Sequence, residues 1–332
     1  MLGRRSLAWV WSTLTVITLL LSAAFARAET ITIGTSAPRH SPWGKVFRVW
    51  NMALKKKTDG ELRLKFYWNN QQGSEPAMIG KMRAGQLDGA AFTAVGLAEI
   101  HKPILALQAP GLFYDWETLD RVRDALAPEL QAAAEKKGFY IAGWGDIGLH
   151  YIMATHAPIR SVGDLKATRS YRLFGDDNLT AFAQAVGATS VPMSVAEVLP
   201  NLSAGRVNVC QAPALAAEQL QWAPQFEYVT DRVLAAGIGA IVLSNRSLDR
   251  LSDEHRALLK KTARKAGKML TKRIRALDRQ AYERIKGRMT VVKPSVAEWA
   301  EWEKSFAAAR KRLSQGTYDA AFMARLEKLA GK

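Results

Sequence analysis

Ala84-Gly85-Gln86-Leu87-Asp88 and Ala204-Gly205-Arg206-Val207-Asn208 lie 120 residues apart and read as one junction used twice. In each, an amphipathic stretch ends in alanine, glycine stops the helix, and an apolar residue leads into a short strand. Upstream of the first junction, residues 30–34 alternate as a strand and Ser41-Pro42 marks a helix start. The serine hydroxyl caps free amides there, and proline fits the first turn. A helix over 43–57 stops at Asp59-Gly60, a strand follows over 62–68, then a helix over 75–84 and a strand over 87–92. The order β-α-β-α-β returns as strand 170–173, helix 179–186 with Gly187 as stop, strand 189–191, helix 195–204 and strand 207–210.

Such alternation builds parallel sheets with right-handed crossovers, and two units give two α/β lobes with a sheet each. Ligands of open α/β sheets bind beyond the carboxyl ends of the strands. Applied to both units, that rule gathers residues 36–43, 93–96, 173–177 and 211–213 around one inter-lobe cleft. From Ser252 a long helix is expected, with Leu259, Ala263, Ala266, Leu270, Ile274, Leu277, Ala281 and Ile285 at spacings of three and four. One apolar stripe on a basic helix means a packed face. About 30 residues would span ~45 Å, enough to brace both lobes. A strand near 289–292 and helical chain over 295–329 follow.

The chain of 332 residues, 48% hydrophobic, is long enough for two modest cores. Its start, with Arg4-Arg5, an uncharged run over 7–25 and Ala26-Arg27-Ala28, reads as a secretory leader cleaved after Ala28. An uncleaved anchor is the alternative, because the run approaches spanning length. Cys210 is the only cysteine, so no intrachain disulfide can form. The formal charge of +17 falls to about +14 without Arg4, Arg5 and Arg27. Nucleic acid is the obvious partner for such a charge. However, the basic residues crowd onto the long helix, where a solvated face explains them, and no nucleic-acid motif accompanies them.

The five histidines, His40, His101, His150, His156 and His255, lack metal-ligand spacing. No Gly-x-Ser-x-Gly elbow, phosphate loop or dinucleotide fingerprint occurs, so neither an enzyme, a cofactor nor a metal is expected. The informative stretch is Tyr171-Arg172-Leu173-Phe174-Gly175-Asp176-Asp177. A guanidinium at a cleft rim matches the two oxygens of a carboxylate. Arg172 could equally pair with Asp176 or Asp177, or sit on the surface. His150 is a second polar candidate, and a packed core histidine is the alternative. Trp43, Trp68, Trp144 and Trp222 are candidate apolar walls. Thr93 and Gln211 could hydrogen-bond a solute or cap local turns. Ser41 lies in the first gathered segment, and Asp176 leaves room for a bridging cation.

At Lys81 to Gly89, Gly138-Phe139, Pro158-Ile159, Asp164-Leu165-Lys166, Val186-Gly187-Ala188, Val191-Pro192-Met193, Gln221-Trp222 and Tyr228 to Asp231, the chain resembles a known family. It is the dicarboxylate-receptor-like solute receptors of tripartite ATP-independent periplasmic (TRAP) transporters. The resemblance covers nearly the whole mature chain. It implies a periplasmic-binding-protein-like fold, a hinge, a long C-terminal bracing helix and an arginine holding the solute carboxylate. Arg172 resembles that arginine; the segment from Asp164 runs one residue longer than usual, so Arg169 is the other candidate. Where many relatives carry a second arginine stands His150, where many carry Asn before proline stands Ala212-Pro213, and Asn208 replaces a usual Asp. Those departures imply a less anionic, more apolar or aromatic acid.

The lobes expected are 29–152 with about 240–275, and 153–239 with about 276–332. The function implied is capture of a small organic acid by lobe closure, followed by delivery to the small and large integral membrane proteins of the transporter. A receptor reporting to a membrane signalling protein is the alternative, and the chain is a monomer or dimer.

Overall fold

The computed structural model describes residues 28–332. The leader expected over 1–28 lies, Ala28 apart, outside the described residues. The first unit runs β1 (Glu29–Thr35), α1 (Pro42–Lys57), β2 (Leu62–Tyr67), α2 (Glu75–Arg83) and β3 (Gly89–Thr93). Its parallel strands lie in the order β2-β1-β3. After α3 (Ala94–Ala98), α4 (Pro103–Ala106), α5 (Trp116–Lys136) and β4 (Phe139–Ala154) comes the second unit. It runs β5 (Arg169–Leu173), α6 (Asp177–Val186), β6 (Thr189–Met193), α7 (Val195–Ser203) and β7 (Val209–Pro213), with strand order β6-β5-β7. The winding is the same, and Gly89 and Val209, which open β3 and β7, keep the 120-residue offset.

The remaining elements are α8 (Ala214–Gln219), β8 (Tyr228–Thr230), β9 (Ala235–Ser244), α9 (Asn245–Asp249), α10 (Asp253–Lys286), β10 (Thr290–Val292), α11 (Val296–Leu313) and α12 (Ala320–Ala330). Two separate sheets were expected, but one hydrogen-bonded path joins the units: β2-β1-β3-β9-β4-β7-β5-β6. The antiparallel strands β9 and β4 sit at its centre. The lobe divisions expected near 152, 240 and 275 all fall inside long continuous elements, β4, β9 and α10.

The bracing helix forms as its stripe predicts. Ser252 caps α10 by accepting from His255 N, and Leu259, Ala263, Ala266, Leu270, Ile274, Ala281 and Ile285 are buried. Its 34 residues extend about 51 Å at ~1.5 Å per residue. One end meets the first unit, where Trp50 Nε1 donates to Thr262 Oγ1 at 3.0 Å. The other meets the second half, where Tyr282 donates its hydroxyl to Thr230 O at 2.9 Å. Between them the helix backbone touches β4, because a Cβ on Gly267 would stand 2.5 Å from Trp144 O and one on Gly143 would stand 2.7 Å from Ala263 O. Only glycine permits that approach.

Candidate functional site

The carboxyl ends of β1, β3, β5 and β7 converge on a cavity of about 170 Å³. Ser36, Trp43, Thr93, Leu173, Gln211 and Pro213 are among its lining, so each of the four gathered segments contributes. The walls are mostly apolar, with Phe47, Phe92, Tyr171, Val195, Leu220 and Trp222 closing them. Ring packing holds these walls: Phe47 stacks on Phe66 at 5.4 Å, and Tyr171 meets Trp222 edge-on at 5.6 Å. His150 reaches the cavity from β4, where it pairs with Pro213 of β7 and Ala235 of β9.

Of the residues singled out in the sequence, Trp43, Thr93, His150 and Gln211 line the cavity, and so does Trp222. Arg172, Asp176 and Ser41 are not among the lining residues. Successive side chains of a strand point to opposite faces, and Tyr171 and Leu173 take the cavity side of β5. Arg172 is half-buried and donates from Nε to Ser190 Oγ of β6 at 3.1 Å. Arg169 is exposed and bonds the carbonyls of Arg206 and Gly205. Ser41 caps α1, accepting from Gly44 N, and donates to Pro38 O. Asp176 caps α6 by accepting from Leu179 N at 2.9 Å, and burial pushes its carboxyl up to about 6.

Two carboxylates at the cavity were not foreseen, and both are satisfied from within. Glu75 accepts from Thr93 N, Thr93 Oγ1 and Gly96 N at 2.7 to 2.8 Å, and its pKa is raised by burial. Asp146 is held by Arg123 Nη1 at 2.7 Å and Arg275 Nε at 2.5 Å. No lysine or arginine lines the cavity among the described residues. Its one imidazole, His150, is kept neutral by burial, which pushes its pKa down to about 4.

Asp278 of α10 ties β4 to α8. Its two oxygens accept from Leu149 N of β4 and Leu215 N of α8, each at 2.9 Å, while burial pushes the carboxyl up to about 6. A folded pKa above the unfolded one gives stability that is complete below about 3.9 and lost as pH rises through the folded value. The wild-type protein should therefore lose roughly 2 kcal/mol between pH 4 and pH 7 relative to Asp278→Asn. Urea unfolding of both proteins across that range reads the difference, and parallel stability curves would contradict it.

Two α/β units closing on one cavity, joined by strands and a helix common to both, define a two-lobed solute-binding protein. The chain belongs to the bacterial extracellular solute-binding protein family 7, DctP, whose model matches residues 33–315. It is a TRAP-type solute receptor and not an enzyme. The chain is 26% identical to the 2,3-diketo-L-gulonate-binding periplasmic protein YiaO of Escherichia coli over 224 residues, 66% of each protein. It is 22% identical to the sialic acid-binding periplasmic protein SiaP of Vibrio cholerae, over 79% of this chain and 82% of that one. Among solved structures, the sugar acid binding protein of Advenella mimigardefordensis in complex with galactonate superposes with a TM-score of 0.85 at 17% identity. That match covers 91% of this chain and 98% of the other. A TRAP periplasmic solute binding protein from Ralstonia eutropha H16 with bound (S)-2-acetolactate gives 0.83 at 20% identity, with the same coverage.

Proposed function

We propose that this chain, exported and cleaved after Ala28, captures a small organic acid in the periplasm and delivers it to the two integral membrane subunits of a TRAP transporter. The observation that carries this reading is the cavity shared by the carboxyl ends of both βαβαβ units, in a family of solute receptors whose solved relatives hold organic acids. Closure supplies the mechanism. The solute makes both sets of contacts only when the lobes meet, so it favours the closed form by its differential affinity. β4, β9 and α10 run through the divisions between 29–152 with 240–275 and 153–239 with 276–332, and small twists spread along them form the hinge. All four cavity segments come from one chain, so one copy makes a complete site.

Size and walls narrow the acid. An apolar cavity of ~150 Å³ takes one benzene ring, so about 170 Å³ suits a monocarboxylate with an apolar, single-ring body. Trp43, Phe47, Tyr171 and Trp222 contact that body, and Thr93, His150 and Gln211 are the polar contacts.

Calorimetric titration of refolded residues 29–332 with benzoate, cyclohexanecarboxylate, 2-oxo acids and small sugar acids tests the reading, refolding having removed any prebound solute. One acid is expected to bind at one per chain. Arg172→Ala should raise its Kd at least about tenfold, or ~1.4 kcal/mol, because that guanidinium, 3.4 Å from the carbonyl of the lining residue Leu173, is the cation we assign to the solute carboxylate; a smaller change would remove Arg172 from that role. A folded protein that binds none of these acids but takes a neutral analogue would reject the acid.

A further inference from the structure

We propose that the outer face of α10, with the adjoining face of α1, is a docking surface for a bilayer carrying anionic phospholipid headgroups, and that it holds the receptor at the membrane with its cleft free. The inference stands on surface charge and does not depend on which solute the cavity takes.

From His255 to Leu277 the sequence holds nine lysines and arginines and no aspartate or glutamate. The helix sorts them. Its buried stripe, with Leu259, Ala263, Leu270 and Ile274, faces the core. Opposite that stripe Lys261, Arg264, Lys265, Lys268, Lys272 and Arg279 are all exposed. At 3.6 residues per turn these six fall within about 100° of one another around the helix and run over about 27 Å. The basic residues of α10 that form ion pairs among the described residues are His255, Arg256, Arg275, Arg284 and Lys286, and the six are not among them. A merely solvated face mixes its signs, as the start of α5 does with Glu117, Asp120, Arg121, Arg123 and Asp124. Like charges three or four residues apart repel, so the stripe costs the helix stability that an anionic surface restores.

Apolar side chains adjoin the stripe. α1 packs on the same core and is bonded to α10 through Trp50 and Thr262. On the side away from Trp50 it presents Lys45, Val49, Met52 and Lys56, at spacings of four, three and four. Val49 and Met52 are 41% and 62% exposed. Met269, two turns beyond Thr262 on the side of α10 that meets α1, is 43% exposed. Three of the five large apolar side chains exposed among the described residues therefore lie on this pair of helices. A soluble polyanion offers them nothing, whereas the boundary between headgroups and acyl chains takes them up and leaves the lysines among the headgroups.

Leu270, on the opposite side of α10 from the cations, lines the cavity. The docked face is thus turned away from the cleft, and solute enters while the protein is held. Each basic residue close to an anionic leaflet strengthens attachment about fivefold, an attraction that salt screens over ~8 Å. Attachment of this kind is reversible and leaves the protein able to move along the surface to the membrane subunits.

The test is sedimentation of residues 29–332 with vesicles of phosphatidylcholine alone or mixed with phosphatidylglycerol, at low and high salt. Binding to the mixed vesicles at low salt, release at high salt and no binding to phosphatidylcholine are expected. The variant with Lys261→Glu, Lys265→Glu, Lys268→Glu and Lys272→Glu changes only exposed side chains. It should keep its circular dichroism spectrum and bind the mixed vesicles at least about a hundredfold more weakly. A second variant, Met52→Ser with Met269→Ser, should lose at least about threefold on the mixed vesicles and nothing on duplex DNA. Failure of the folded protein to sediment with mixed vesicles at low salt overturns the proposal, as does undiminished binding by either variant. Retention on duplex DNA without vesicle binding makes the stripe a polyanion site and overturns it as well. None of these outcomes bears on the solute titration, so the acid-receptor reading stands or falls separately.

Discussion

Asp146→Ala should lower the unfolding free energy by about 3 kcal/mol, near the lower edge of what breaking a buried ion pair costs. Asp146 is 1% exposed and faces two guanidinium groups, Arg123 from α5 and Arg275 from α10. Truncation leaves Arg123, itself 5% exposed, short of one partner. The loss is held down because Asp120 still engages both arginines, at 2.6 Å each. Urea unfolding at pH 7 measures the change. In 1 M salt the difference between wild type and variant should persist, since a buried cluster is poorly screened. Removing the exposed pair Arg325–Glu129, with both side chains about half exposed, should by contrast cost under ~1 kcal/mol and vanish in salt. A loss below ~1 kcal/mol for Asp146→Ala would mean that Asp120 alone satisfies the pair. The same cluster matters to the cleft, because it ties the brace to β4 where Asp146 meets the cavity.

The repeat was legible because its signals are local. Gly85, Gly187 and Gly205 adopt φ of 74°, 68° and 64°, the left-handed stop that their positions after helices announce. β4 and β9 carry no such signal. β9 is buried from end to end, so it shows no alternation, and glycines interrupt the apolar run of both strands. Gly143 exists instead for the approach of α10, a contact 120 residues away in sequence. Missing those strands is why two sheets were expected where one path runs through. Which residue of β5 faces the cleft is a question of register, and a one-residue slip exchanges the faces. Tyr171 lines the cavity, and the guanidinium of Arg172, the next residue, lies 3.4 Å from the carbonyl of Leu173, which lines it too. Glu75 and Asp146 were invisible for another reason: what marks them is their partners, Thr93 and Arg275, which lie 18 and 129 residues away.

Trp222→Ala is expected to do most damage to the cleft itself. The indole is 4% exposed, lines the cavity and meets Tyr171 edge-on. Its direction is set by the turn before it, where Gln221 takes a φ of 62° and Trp222 N donates to Ala217 O at 2.8 Å. Truncating a buried tryptophan costs about 3 to 5 kcal/mol, a large part of an ordinary domain's stability. Here the hole opens into the cavity, so the solute loses a wall as well. Affinity for the bound acid should fall by at least about tenfold, equivalent to ~1.4 kcal/mol. Trp222→Phe, which keeps an aromatic face against Tyr171, should recover more than half of both losses. Stability read by urea unfolding and affinity read by calorimetry at a temperature where the variant is folded separate the two effects. If stability falls while affinity holds, Trp222 is core alone, and the solute lies against Trp43 and Phe47 on the opposite lobe.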